Sequence, residues 1–185
     1  MKGVIFTEFL EMVEGEFGFE IADKIVQEAE LASGGVYTAL GTYDHQEMVS
    51  MVVNLSQATE ISVPKLLHAF GEHAFGQFSK SYGVFFEKAT GTIDFLSRLE
   101  NYIHVEVLKL YPDAELPRFE IHQPNPGILQ MIYHSDRGLA DFAEGLIAGC
   151  IKHFKEDVQL TREDLHENKT HTRFTLRLNP ETASV

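Results

Sequence analysis

The chain has 185 residues, enough for one large domain or two small, closely packed ones, with a substantial core. Its formal net charge is −13, from 15 Lys and Arg against 28 Asp and Glu, and no basic cluster offsets this charge, so we expect no nucleic-acid partner. The single cysteine, Cys150, excludes an internal disulfide and a cysteine-based metal site within one chain, and it fits a reducing cytoplasm. No apolar run approaches the roughly 20 residues of a membrane-spanning helix, so we expect no membrane partner.

Apolar residues recur at helical spacing through most of the first 110 residues. The first four predicted helices cover about 4–13, 19–31, 44–59 and 62–80. Asp44 is the expected cap of the third helix, and Glu47 stands at the distance that completes a capping box. Thr90 or Thr92 then begins one long helix that runs to Leu110 and is stopped by Pro112.

The pattern changes after Pro112, where apolar and polar residues begin to alternate. Alternation predicts four strands, at about 117–123, 127–135, 157–164 and 170–178. One helix, at about 139–154, separates the first pair of strands from the second. The order predicts an α+β protein whose helical N-terminal layer packs on an antiparallel sheet that carries its own helix.

His104 has the most unusual setting of the nine histidines. It lies in the middle of the long predicted helix and shares a face with Asn101, Val107 and Leu108, where apolar residues fill most adjoining positions. A neutral imidazole there is either a core histidine that donates to a carbonyl or a ligand to a metal or heme. Taken alone, this setting favours the core histidine.

Tyr133, Ser135 and Arg137 occupy alternate positions where the second predicted strand gives way to a helix. Residues two apart on a strand point to the same face. Two hydroxyl groups and one guanidinium fork are suited to a ligand that carries carboxylates or phosphates. The alternative is ordinary packing of a strand-end tyrosine and a surface arginine.

The order of these features resembles the heme-nitric oxide/oxygen binding (H-NOX) family, which includes the heme domain of soluble guanylate cyclase. The features are an N-terminal Met-Lys-Gly, a helix-borne His104, then Pro117, then Tyr-x-Ser-x-Arg at 133–137. The resemblance spans nearly the whole chain. It implies one H-NOX-like domain, 1–185, with heme b buried between a distal helical subdomain, about 1–60, and a proximal mixed subdomain, about 61–185.

The resemblance also implies roles for single residues. His104 is the ligand of the ferrous iron, Tyr133, Ser135 and Arg137 hold the heme propionates, and Pro117 presses against the macrocycle. The apolar residues implied to line the pocket, whose alternative role is ordinary core, are Val4, Ile5, Phe9, Phe75 and Phe78.

Phe142 marks a departure from the oxygen-binding members of the family. Those members carry a tyrosine five residues beyond the arginine, which donates a hydrogen bond to oxygen. Phe142 stands there, and Phe9 stands at the position that can support that tyrosine. Neither ring offers a hydrogen bond, so the resemblance implies binding of nitric oxide and carbon monoxide rather than oxygen. Some bacterial relatives form a zinc site with cysteines that this chain lacks, so we do not expect that site.

The implied function is that of a cytoplasmic, stand-alone nitric oxide sensor rather than an enzyme. Nitric oxide binds five-coordinate ferrous heme and weakens the iron–His104 bond, and a separate histidine kinase or cyclic-di-GMP enzyme receives the signal. No phosphate-binding glycine loop, kinase signature or nucleophile elbow indicates an output enzyme in the chain. Two alternatives remain open. One is a peroxidase-like heme enzyme with His68 or His73 on the distal side. The other is a non-heme receptor in which Arg137 holds a carboxylate ligand and His104 is merely buried.

Overall fold

Among residues 1–179, seven α-helices and four β-strands occur in the order that the sequence predicted: helices, a strand pair, a helix and a second strand pair. The computed structural model describes residues 1–179, so residues 180–185 of the predicted domain lie outside the described residues. The helices are α1 (Gly3–Phe17), α2 (Phe19–Gln27), α3 (His45–Thr59), α4 (Val63–Ser81), α5 (Thr92–Ser97), α6 (His104–Leu110) and α7 (Ala140–Phe154). The strands are β1 (Arg118–Asn125), β2 (Ile128–His134), β3 (Val158–Asp164) and β4 (His171–Leu178). None of the helices in this part of the chain is both long and apolar enough to cross a lipid bilayer.

The four strands form one antiparallel sheet in the order β1-β2-β4-β3, which confirms the predicted α+β class. Strand β2 lies inside the sheet, and its alternate residues Leu129, Met131 and Tyr133 are buried while the residues between them are half-buried. Tyr133 is paired with Phe119 of β1 on one side and with Thr172 of β4 on the other. The alternation predicted from the sequence therefore sets which face of the sheet Tyr133 occupies.

The buried side chains form two clusters that meet along α4. The first consists mostly of residues from α1 to α4, including Phe6, Phe9, Val13, Ile25, Met51, Leu55 and Phe70. The second consists mostly of residues from α5, α7 and the sheet, including Phe95, Met131, Tyr133, Ile147, Phe174 and Leu176. Phe70 and Phe75, both on α4, belong to different clusters. This one helix is therefore a shared wall between the helical layer and the sheet layer.

The predicted single helix from Thr90 or Thr92 to Leu110 is wrong. α5 ends at Ser97, a π-helical turn comes next at Leu99–Ile103, and α6 begins at His104. The amides of both Tyr102 and Ile103 donate to the carbonyl oxygen of Arg98, at 2.9 and 3.3 Å, so the turn is widened by one residue. Such widened turns are rare and frequently lie at functional sites.

Two smaller expectations also fail because side chains from elsewhere take the hydrogen bonds. α2 ends at Gln27 rather than near residue 31, and the carbonyl oxygen of Ile25 accepts a hydrogen bond from the side-chain Nδ2 of Asn54 at 3.2 Å. Asp44 caps α3 as predicted, through the amide of Gln46 at 3.0 Å. Glu47 does not complete a capping box, because its carboxylate accepts hydrogen bonds from Ser33 and Tyr37.

Helices α4 and α7 approach each other closely because both carry glycine at the contact. A Cβ atom on Gly71 would lie 2.3 Å from the carbonyl oxygen of Phe142, and one on Gly145 would lie 2.1 Å from the carbonyl oxygen of His68. Neither distance leaves room for a methyl group. Gly76, also on α4, has nothing within 4 Å of such an atom.

We predict opposite effects of alanine at Gly71 and at Gly76. Gly71→Ala should lower the free energy of unfolding by roughly 1 to 3 kcal/mol, because the methyl group forces α4 and α7 apart. Gly76→Ala should raise it by roughly 0.5 to 1 kcal/mol, because alanine is the better helix former and meets no neighbour. Urea unfolding followed by circular dichroism measures both. Equal effects of the two substitutions would contradict the close backbone contact.

Candidate functional site

A cavity of about 290 Å³ lies between the helical layer and the corner where β2 leads into α7. Most of its wall is apolar, with side chains from α1, α4, α6, α7 and the loop before β1. The predicted site residues that line it are Ile5, Phe78, His104, Pro117, Tyr133, Ser135, Arg137 and Phe142. Val4 and Phe75 line it as well, whereas Phe9 does not. The fold thus brings together residues from most of the length of the chain, and their roles stay predictions.

His104 is the first residue of α6, and its side chain is only 15 % exposed. Its Nδ1 lies 3.1 Å from Oε1 of Glu100. Burial lowers the pKa of His104, and the Glu100 carboxylate opposes this shift without cancelling it. A neutral ring that donates from Nδ1 carries its lone pair on Nε2. His104 can therefore serve as a metal ligand through Nε2.

Tyr133, Ser135 and Arg137 lie along one side of the cavity. The Tyr133 hydroxyl accepts a hydrogen bond from the amide of Leu139 at 3.2 Å, and burial raises the pKa of this hydroxyl, so it stays protonated. Ser135 Oγ accepts from the amide of Arg137 at 3.4 Å. These short-range bonds fix the path of the chain at the corner.

The guanidinium of Arg137 is 16 % exposed and pairs with Glu115, in the loop before β1. Nη1 donates to the Glu115 carbonyl oxygen at 2.9 Å, and Nη2 donates to its Oε2 at 2.5 Å. The Glu115 side chain is 84 % exposed, so the carboxylate can turn into solvent when another anion takes its place. A guanidinium has five N–H donors, enough to hold a second carboxylate alongside the backbone bond.

Phe142 lies on α7 at the cavity wall and belongs to a row of three rings. Its ring centroid is 4.8 Å from that of Phe70, and the Phe70 centroid is 5.2 Å from that of Phe9. Phe9 is fully buried and therefore lies one ring behind the wall. None of these three side chains can donate a hydrogen bond into the cavity.

His68 and His73, the distal candidates for a peroxidase-like enzyme, do not line the cavity. His68 Nδ1 lies 3.8 Å from Glu72, and His73 Nε2 lies 3.9 Å from Glu8. Among the described residues that line the cavity, His104 is the only histidine. The geometry therefore gives no support to the enzyme alternative.

Asp141 lies next to Phe142 on α7, and its carboxylate is buried in an ion cluster. Its carboxylate accepts from Arg162 at 2.6 Å and from Lys169 at 2.8 Å, and Arg162 also bonds Asp164 at 2.7 Å. Residues 1–179 contain no group of three or more His, Cys, Asp or Glu placed to hold a metal ion. Here direct ion pairs join α7 to β3 and to the turn before β4.

Lys2 lines the cavity, and sequence reasoning counted it only as part of the N-terminal Met-Lys-Gly, with no role of its own. Its side chain is 9 % exposed, and Nζ donates to Leu40 O at 2.6 Å, to Thr42 Oγ1 at 2.9 Å and to Asp113 Oδ1 at 3.0 Å. Hydrogen bonds from Thr42 and Lys2 lower the pKa of Asp113 to about 2. These bonds tie the start of α1 to the loop after α6. No local pattern signals them, because the partners are far apart in sequence.

Known proteins similar to this chain bind heme and diatomic gases. A family model described as Haem-NO-binding matches residues 2–162. The unliganded Fe(II) H-NOX protein from K. algicida is 42% identical, with 97% of each chain covered and a TM-score of 0.92. The H-NOX from Shewanella woodyi, bound to IWP-051 in the Fe(II)CO state, is 37% identical over 100% of this chain and 97% of that one, with a TM-score of 0.83. The Fe(II)NO form from S. oneidensis is 25% identical over 97% of this chain and 99% of that one, with a TM-score of 0.88. Among curated proteins, none matches.

We predict that Lys2→Met lowers the free energy of unfolding by roughly 1.5 to 3 kcal/mol, because it removes buried hydrogen bonds made by a charged group. The control is Lys24→Met, at a lysine that is 50 % exposed and 3.9 Å from Glu28, and it should have little effect. Urea unfolding at neutral pH measures both.

The effect of Lys2→Met should also depend on pH. The pKa of Asp113 is about 2 in the folded chain, below its value of about 3.9 when unfolded. The stabilising contribution of this carboxylate is therefore complete above about pH 4 and is lost as the pH falls towards 2. The difference between wild type and Lys2→Met should shrink over the same range. A difference that stays constant would contradict the Lys2–Asp113 pairing.

Proposed function

The chain belongs to the haem-NO-binding (H-NOX) family of heme gas-binding domains, and from this premise we propose that it is a nitric oxide sensor that signals to a partner protein. The observation that carries the proposal is the meeting of His104, Pro117 and Arg137 on one apolar cavity. The apolar wall of the cavity suits a ligand that is apolar over most of its surface, and Arg137, where β2 leads into α7, suits an anionic group at one edge of that ligand.

Heme b fits the chemistry of these residues. His104 would bind the iron through Nε2, Arg137 with Tyr133 and Ser135 would hold the propionates, and Pro117 would press on the macrocycle. When bound, heme supplies a ferrous iron which, with one imidazole ligand, keeps a position open for a diatomic gas. The apolar wall would keep water away, and the Glu100 carboxylate, 3.1 Å from Nδ1, would keep His104 in the ligating tautomer.

The signal would leave through α6. This helix begins at His104 directly after a π turn, so a histidine released when nitric oxide binds would free a short segment that can move separately from α5. Solved structures of two relatives contain nitric oxide or carbon monoxide, which supports both gases as ligands here. The partner we propose is a histidine kinase or a cyclic-di-GMP enzyme in the cytoplasm, with no catalytic activity in the domain itself.

The decisive experiment is an absorption spectrum of the reduced protein, expressed with ample heme, before and after addition of nitric oxide. A Soret band that shifts with the gas is expected. A colourless protein would overturn the proposal and leave the non-heme receptor with a carboxylate ligand on Arg137. Rapid turnover of peroxide would instead favour the heme enzyme.

We predict that His104→Gly takes up heme stably only when imidazole is supplied, because the substitution removes the one protein ligand of the iron. The matched control is His68→Gly on α4, which makes the same change away from the cavity and should leave the ferrous spectrum as in wild type. An unchanged ferrous spectrum of His104→Gly without imidazole would show that another residue is the ligand.

We predict that Arg137→Ala speeds heme transfer to an acceptor protein more than Ser135→Ala does. The guanidinium contributes charge-assisted bonds of roughly 1.5 to 3 kcal/mol, and the hydroxyl contributes one neutral bond of roughly 1 kcal/mol. Transfer to apomyoglobin, followed by absorption, gives the rates. Equal rates for wild type and both variants would be incompatible with the propionate role.

We predict that the reduced protein binds nitric oxide and carbon monoxide but forms no stable oxygen complex in air. Oxygen needs a hydrogen-bond donor beside it, and Phe142 with the rings behind it provides none. Phe142→Tyr adds a hydroxyl where oxygen-binding relatives have one, and weak oxygen binding is the expected result. The Soret band after mixing with air-saturated buffer is the measurement.

A stable oxygen complex of the wild type would require another donor and would remove the claim of selectivity. Tyr82 would be the candidate, since it also lines the cavity. Its hydroxyl lies 2.9 Å from that of Tyr111, and burial together with this contact raises the pKa of Tyr82 to about 12.

A further inference from the structure

We propose that Glu100 is a positioning residue that holds the His104 ring and joins it to the start of strand β1, so that the iron ligand and the heme-contacting strand respond together. The inference rests on the proposed function, because it concerns the residue that would bind iron. Glu100 does not line the cavity and acts only through its neighbours.

One carboxylate oxygen of Glu100 serves two donors from different parts of the chain. Oε1 accepts a hydrogen bond from the amide of Phe119 at 2.6 Å and lies 3.1 Å from His104 Nδ1. The Glu100 side chain is 30 % exposed, and Phe119 is buried. The carboxylate is therefore a shared acceptor between α6 and β1 rather than a surface charge.

The π turn gives Glu100 its place. In one regular helix, the side chains of α5 and α6 would follow a single repeat around the helix axis. The widened turn at Leu99–Ile103 adds one residue to that repeat, so the side chains of α6 face a different direction than they would in a continuous helix. Leu96, before the turn, is packed in the core of the sheet layer. Glu100 and His104, four residues apart, share the face that meets β1.

The bond to Nδ1 has a direct effect on the ligand. A carboxylate that accepts from one nitrogen of a histidine fixes the tautomer and the ring orientation, and it makes the other nitrogen a stronger donor to a metal. Among residues 1–179, Glu100 is the one side chain whose carboxylate pairs with the His104 ring. Without Glu100 the orientation of the ring would depend on packing alone.

The hydrogen bond from the Phe119 amide links Glu100, and through it His104, to the sheet. Phe119 lies two residues after Pro117 and is paired with Tyr133, and the rings of Phe119 and Tyr133 meet edge to face at 5.6 Å. A displacement of His104 that pulls on Glu100 therefore acts on the strand that begins beside Pro117. The same strand is paired with the one that carries Tyr133 to the propionate-binding corner.

Three variants test the inference, read out by the iron–histidine stretching frequency in resonance Raman spectra of the ferrous protein and by heme transfer to apomyoglobin. Glu100→Ala should move the stretch to lower frequency and speed heme transfer by about 10- to 100-fold. Glu100→Gln keeps an acceptor for both donors but loses the charge, so a smaller change in the same direction is expected. The control is Glu106→Gln on α6, whose carboxylate pairs with Lys109 at 2.6 Å, and it should match wild type.

A merely structural role for Glu100 would lower the urea midpoint and leave the stretching frequency of heme-loaded molecules as in wild type. That result in Glu100→Ala would overturn the inference. If Glu100→Ala does not fold, the same result in Glu100→Gln would overturn it. It is distinct from failure of the proposed function, which would appear as a wild-type protein with no Soret band or no iron–histidine stretch.

Discussion

The contact between α4 and α7 is the constraint on which the cavity depends. These helices meet backbone to backbone at Gly71 and Gly145, where no side chain fits between them. α4 carries Phe78 and α7 carries Phe142, so the distance between the two helices sets how far two walls of the cavity stand apart.

The two cationic side chains that line the cavity are each paired with an acidic partner, as expected in a chain with a formal net charge of −13. Lys2 is bonded to Asp113 and Arg137 to Glu115. The two pairs differ in whether the acidic partner can be replaced. Lys2 also donates to Leu40 and Thr42, so the hydrogen-bonding capacity of its ammonium group is used within the protein. The exposed Glu115 carboxylate, in contrast, can leave Arg137 when another anion binds. The first pair therefore suits a structural tie, and the second suits a binding site.

The proposed sensor places its two functions on different elements. Gas selectivity would come from the row of rings at Phe9, Phe70 and Phe142, which joins α1, α4 and α7 and offers no hydrogen bond. Signal transmission would come from His104 on α6, through Glu100 to β1. The two sets of residues belong to separate elements, which is a physical reason for expecting that a change at Phe142 alters ligand choice without disturbing the ligand bond to His104.

The sequence by itself determined the order of helices and strands and the alternation that turns Tyr133 towards the helices, because both depend on spacing over a few residues. Spacing left the roles of His104 and of the Tyr-x-Ser-x-Arg corner open, and only the resemblance to the H-NOX family implied that they meet at one site. Only the tertiary structure decided that the long helix is broken before His104, that Glu47 bonds Ser33 instead of capping, that Phe9 lies behind Phe70, and that Glu100 and Lys2 form hydrogen bonds to distant parts of the chain at the cavity. Most of these features depend on partners many residues away along the chain. The local secondary-structure propensity of a residue does not depend on a hydrogen-bond acceptor far away in the sequence. Such a hydrogen bond stabilises the fold only after packing has brought the donor and the acceptor together.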